Sequence, residues 1–289
     1  MRGRLASVAL AVVVLAGSLP RTGAAESLLE RGRYLINGIV ACGNCHTPQG
    51  PGGPVPGMEL AGGLVIEEPA FTVVTPNITP DPETGIGKWT DKQIIAAIRE
   101  GRRPDGSIIG PPMPITQYRA MADSDVEALV AYLRQVPPVR NAVARSEYPF
   151  PLPESYGPPV IAVPDVPRDD PARYGAYFAG PLGHCIACHT PLVDGRADYA
   201  NRLGAGGNQY IGPWGVSTSR NITSDPDAGI GDWTDGEIKL AITEGISADG
   251  SPLMPPMGYH YYASLSEPDL DALVAYLRTL PPLPSEGDE

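Results

Sequence analysis

At 289 residues the chain is long enough for two domains that each bury a core of their own. Only 3 Phe and 3 Trp stand against 34 Gly and 34 Pro, so side chains alone give a thin core, which a large apolar prosthetic group would fill. A formal net charge of −12 argues against nucleic acid as a partner.

The stretch 1–25 reads as a secretory signal. Arg2 and Arg4 precede an apolar run from Leu5 to Leu15, and small residues follow to Thr22-Gly23-Ala24-Ala25, with cleavage expected near Ala25. A retained membrane anchor is the alternative, but the apolar run falls well short of the ~20 residues that span a bilayer. Export would place the mature chain in the periplasm, and nothing later in the sequence resembles a transmembrane span. Without the signal, residues 26–150 hold 11 basic and 14 acidic side chains, and residues 151–289 hold 7 and 19. Acidic surface is ordinarily only solubilising; the sharper expectation is that the C-terminal half meets a basic partner surface.

An internal repeat at an offset of 143 to 144 residues organises the rest. Gly32-Arg33-Tyr34-Leu35 matches Gly175-Ala176-Tyr177-Phe178, and Asn77-Ile78-Thr79 matches Asn221-Ile222-Thr223. Gly85-Ile86-Gly87-Lys88-Trp89-Thr90 matches Gly229-Ile230-Gly231-Asp232-Trp233-Thr234, and the segment 128–134 matches 272–278. The predicted organisation is a first domain at 26–136, a Pro-rich linker at 137–171 and a second domain at 172–289. Ten prolines in the linker forbid a continuous helix and predict a stiff, extended surface connector.

Each domain carries the same helix signals. Thr90 with Gln93, and Thr234 with Glu237, have capping-box spacing before helices that Gly101 and Gly245 stop. A last helix follows in each, with Val126, Leu129, Val130 and Leu133, or Leu270, Leu273, Val274 and Leu277, at helical spacing before a Pro-Pro stop. No alternating strand pattern stands out, so the predicted fold is mostly helical with long loops.

Cys42-Gly43-Asn44-Cys45-His46 and Cys185-Ile186-Ala187-Cys188-His189 are both C-x-x-C-H, the pattern of covalent haem c attachment. Two thiols three residues apart on one helical turn face the same side and can each form a thioether with a porphyrin vinyl, and the next residue, His46 or His189, then lies beneath the iron. One such motif could be a redox dithiol or half a zinc site. Two at the repeat offset use all four cysteines and point to two haem c groups. For the sixth ligands, Met113 and Met257 occupy equivalent Pro-Pro-Met sequences, 67 and 68 residues after their histidines. Met58, Met121 and Met254 read as packing residues. His260, three residues from Met257, competes for the second iron, although Thr116 fills the matching place in the first domain; His184 reads as an ordinary surface or pocket residue. Trp89, Trp233, Asn77 and Asn221 are candidates for bonding haem propionates, with packing and turn chemistry as the alternative.

Taken together, these residues resemble a tandem of two homologous class I cytochrome c domains. The Asn-Ile-Thr, Gly-Ile-Gly-x-Trp-Thr, Asp-Gly-Ser and Ala-Tyr-Leu-Arg segments are similar to the cytochrome c subunits of bacterial membrane-associated alcohol and gluconate dehydrogenases. Those subunits typically have three haems, whereas this chain has two attachment motifs. The resemblance implies a first helix entering the motif, a loop bearing the axial methionine, and a last helix packed across the first. It also implies that the carbonyl of Pro48 or Pro191 orients the proximal imidazole. The expected function is electron transfer, not catalysis, between a dehydrogenase or other donor and the respiratory chain or a terminal oxidase. A dihaem peroxidase-like enzyme with one open haem, and a haem-based sensor, are the rivals.

Overall fold

The computed structural model describes residues 26–68, 70–212 and 214–285; the expected signal at 1–25 lies outside them. Ser27 and Glu30 form a reciprocal capping box that starts α1 (Leu28–Ile36), which packs against α5 (Asp123–Leu133). In the second copy α6 (Pro171–Tyr177) packs in the same way against α10 (Glu267–Leu277). Glycine makes both approaches close. A Cβ at Gly32 would run into the Ala128 carbonyl, and one at Gly175 into that of Ala272. The stripes foreseen on the last helices are buried at all eight positions.

Between these pairs stand α3 (Asp91–Glu100) and α8 (Asp235–Glu244), each opened by the expected capping box and closed by a left-handed glycine, Gly101 at φ 63° and Gly245 at φ 67°. The repeated Arg134 and Arg278 fasten them to the last helices. Arg134 donates to Asp91 at 2.8 Å and to the Trp89 carbonyl, and Arg278 donates to Asp235 at 2.9 Å and to the Trp233 carbonyl.

The fold is mostly helical with long loops, as expected, and the loops carry short strands that no alternating pattern announced. Four antiparallel hairpins are present among the described residues: β1–β2 (Gln49–Gly50, Gly53–Pro54), β3–β4 (Val65–Glu68, Phe71–Val74), β5–β6 (Leu192–Val193, Arg196–Ala197) and β7–β8 (Gln209–Gly212, Gly215–Thr218). Their strands are two to four residues long and join no larger sheet, so no buried face imposes alternation on the sequence.

The Pro-rich connector, residues 137–170, has neither helix nor strand, and Pro171, reckoned part of it, is instead the first residue of α6. It lies along the first copy. The Asn77 amide donates to the Val139 carbonyl at 2.7 Å, the Val74 backbone N–H to the Ser146 hydroxyl at 2.8 Å, and the Asp123 backbone N–H to the Val163 carbonyl at 2.9 Å.

The two copies share one apolar core that runs from Leu35, Ile36 and Ile39 through Met121 and Leu129 to Tyr177, Phe178, Leu182, Leu265 and Leu273. Polar contacts across the junction repeat under a pseudo-two-fold. The Tyr34 hydroxyl donates to Asp269 and accepts from the Ser266 N–H at 3.0 Å. At the equivalent positions, Tyr177 donates to Asp125 at 2.6 Å and accepts from the Ala122 N–H at 3.0 Å. Asp125 and Asp269 are buried; Arg31 reaches the first at 2.7 Å and Arg168 the second at 3.8 Å.

Candidate functional site

Each attachment motif forms a short helix, α2 (Cys42–His46) and α7 (Cys185–Cys188), entered through a residue in the left-handed region, Ala41 at φ 48° and His184 at φ 44°. His184 therefore serves as a turn residue, its ring edge-on to Tyr118 at 6.1 Å between centroids. No disulfide joins the four cysteines. Burial pushes Cys42 and Cys185 up to about 12, Cys45 up to about 11, and Cys188 upward as well.

The two motif histidines are held by carbonyls other than the two expected. His46 Nδ1 pairs with the Pro76 carbonyl at 2.8 Å, and His189 Nδ1 with the Arg220 carbonyl at 2.6 Å. The carbonyls of Pro48 and Pro191 are instead consumed within their own loops, accepting from Val55 at 2.9 Å and from Asp198 at 3.0 Å. Burial lowers the pKa of both imidazoles, which keeps them neutral, and the bond at Nδ1 leaves Nε2 as the nitrogen available to a metal.

Asn77 and Asn221, proposed as propionate partners, explain those carbonyls instead. Each is buried directly after the orienting residue. Its side-chain oxygen accepts from the backbone N–H (2.9 Å) and hydroxyl (2.7 Å) of Thr79 or Thr223, and its amide donates at 2.7 Å to the carbonyl of Val139 or Leu283. With those bonds made, the amide is committed to the turn. Gly62 and Gly206, at φ 72° and 75°, complete it by packing directly on the peptides 76–77 and 220–221, where a Cβ has no room. Sequence reasoning missed these glycines; their repetition at the same offset was the available signal.

Met113 and Met257 are half-buried against the shared core, each in a loop leading into a one-turn helix, α4 (Ile115–Tyr118) or α9 (Tyr259–Tyr262). Met121 is fully buried core filler, as expected, whereas Met254 is 46% exposed. His260 is exposed, its ring 4.2 Å from that of Tyr261. Trp89 and Trp233 are half-buried against the cores of their copies.

The two sites adjoin. Asn44, inside the first motif, donates to the Pro256 carbonyl beside Met257 at 3.2 Å, and Tyr261 lies directly over Gly43. On the other side Gln117 donates to Tyr199 at 2.8 Å and Tyr118 faces His184. Paired thiols, a neutral imidazole with one free nitrogen and a thioether in each copy make a donor set that fits haem c.

A model of the Cytochrome c family matches residues 30–137 and 177–281. The chain is 32% identical over 308 residues to the cytochrome c subunit of the quinone alcohol dehydrogenase of Gluconacetobacter polyoxogenes, covering 97% of this chain and 62% of that protein. It is 31% identical to the gluconate 2-dehydrogenase cytochrome c subunit of Pantoea cypripedii, over 88% and 60% of the two lengths, and so spans less than two thirds of either subunit. A diheme cytochrome c-type protein of Cereibacter sphaeroides is 31% identical, over 83% of this chain and 82% of its own. Two matched domains, each with its attachment motif, carry two covalently bound haem c groups. This chain belongs to the cytochrome c family, as a tandem of two cytochrome c domains.

Proposed function

We propose that the chain is an exported electron carrier or electron-transfer subunit that passes single electrons from a dehydrogenase or other donor toward the respiratory chain, in the periplasm. In this reading His46 and Met113 ligate the first iron, and His189 and Met257 the second. The observation that carries it is the equivalence of the two sites: the same carbonyl-held imidazole and the same half-buried methionine in both copies. A haem c saturated by imidazole and thioether supplies a reversible one-electron change and has no open position for substrate.

The residues around it hold the ligands still. The Pro76 and Arg220 carbonyls fix the imidazole tautomer and plane, the Asn-Ile-Thr turns fix those carbonyls, and the shared core backs both methionine loops. Trp89 and Trp233 are the propionate donors of this reading; their carbonyls are held by Arg134 and Arg278. A donor such as the dehydrogenases whose cytochrome subunits resemble this chain accords with the family match. No helix of the described residues is long and apolar enough to cross a membrane.

The test is absorption spectroscopy of the purified protein. Two low-spin haems per chain with a far-red sulfur-to-iron band are expected. Met113→Ala and Met257→Ala should each remove about half of that band and lower the potential of one haem, while His260→Ala removes none. A high-spin ferric haem in the resting protein, or ready uptake of cyanide or peroxide, overturns the reading in favour of a dihaem enzyme.

A further inference from the structure

Two copies of a repeat would present equivalent surfaces, but the connector breaks the equivalence at the methionine loops. Over the first loop it forms a roof. The Tyr148 hydroxyl donates to the Pro111 carbonyl at 2.7 Å and Tyr156 to the Ile109 carbonyl at 2.8 Å. The side chains of Tyr148 and Leu152 press so closely on Gly110 that no Cβ fits, and the Tyr156 ring covers Gly101.

In the second copy no such roof is present among the described residues. The position of Gly110 is taken by Met254, which is 46% exposed. The place of Tyr156 is taken by Tyr259, from the loop's own helix, which covers Gly245 and donates to the Met254 carbonyl at 3.2 Å. The other flank of this loop is closed by Asn44 and Gly43 of the first copy. One flank therefore remains open, at Met254.

We propose that this Met254 edge of the second domain is where the protein exchanges electrons with a partner, and that the partner is a basic one-electron carrier protein whose lysine-rich rim surrounds an apolar centre. The proposal rests on Met257 being an iron ligand, as in the preceding reading. Electron tunnelling decays exponentially with distance, so exchange takes place where the fewest bonds separate surface from metal. Only Pro255 and Pro256 separate Met254 from Met257, whereas in the first domain the connector intervenes. Charge selects the partner's sign. Residues 151–289 carry 7 basic and 19 acidic side chains, Asp249 is exposed in the same loop as Met254, and Glu244 is exposed at the end of α8. An apolar centre within a charged rim is the anatomy of a small, transient docking patch. The exchange is one electron for one electron: the donor's iron is oxidised by one unit, the acceptor's metal is reduced by one, and no bond or proton moves.

The test uses the haem-loaded full chain and a lysine-rich mitochondrial cytochrome c as probe, with titration calorimetry for binding and stopped-flow spectroscopy for exchange. Met254→Lys should weaken binding and slow exchange by about fivefold or more, and added salt should weaken the wild type. Ile161→Lys, which adds the same charge at a 95% exposed position of the connector, should leave both unchanged. The double variant Glu244→Gln with Asp249→Asn reads the rim without touching the loop's apolar centre, and should weaken binding in the same sense; it decides the matter if Met254→Lys perturbs the ligand. Unchanged binding in the loop and rim variants, or equal weakening by Ile161→Lys, overturns the proposal. Loss of the wild type's far-red band would instead defeat the ligand assignment, so the two failures are separable.

Discussion

The backbone carbonyl behind each proximal imidazole is placed by a single asparagine. Asn77 meets five hydrogen-bonding groups at once, in the Thr79 turn, at the Thr84 hydroxyl and on the Val139 and Asn141 carbonyls, and Asn221 bonds its own threonine and the Leu283 carbonyl. Asn77→Ala would leave buried partners unpaired and should cost about 1–3 kcal/mol in chemical denaturation. It should also shift the potential of the first haem while leaving the second unchanged; Asn221→Ala should do the reverse, as measured by spectroelectrochemical titration. The two attachment motifs are legible in the sequence because they are local: two thiols and an imidazole within five positions. The partner of that imidazole is not, because it arrives from 30 residues away in the first domain and 31 in the second. The carbonyls of Pro48 and Pro191, which the family resemblance implied, are already used by their own loops.

The helices were readable where their signals are intrinsic to the chain. Capping boxes at Thr90 and Thr234 need only residues three apart, and the apolar stripes of α5 and α10 need only the helical period. Thr90→Ala or Thr234→Ala should each cost about 1 kcal/mol, measured by thermal melting. The crossing of first and last helices is a tertiary fact, carried by Gly32 on Ala128 and Gly175 on Ala272. Gly32→Ala has to displace a backbone carbonyl rather than a flexible side chain, so a loss of at least about 1–3 kcal/mol is expected in denaturation, although alanine is the better helix former. The hairpins escaped notice for the complementary reason. β3 and β7, with alternating but shallow burial, pack against each other at the surface and no core selects their residues.

For the whole molecule, the junction decides whether two domains behave as one. A shared core and two tyrosine–carboxylate pairs join them, with burial pushing Tyr34 up to about 12 and Tyr177 higher still, so both phenols stay protonated donors at neutral pH. The wild type should therefore unfold in one cooperative transition. Tyr34→Phe combined with Tyr177→Phe, which strips a donor from buried Asp269 and Asp125, should cost about 1–3 kcal/mol per site and separate the melt into two steps by calorimetry. The repeat announced two domains, but neither their embrace nor the connector's preference for the first could be read from it, since both depend on which surfaces meet. That embrace is isologous: each half offers the other the same tyrosine and takes it with the same aspartate. Such self-complementarity is what a homodimer requires, and joining both halves in one polypeptide holds them at a local concentration that makes their pairing independent of how dilute the protein is.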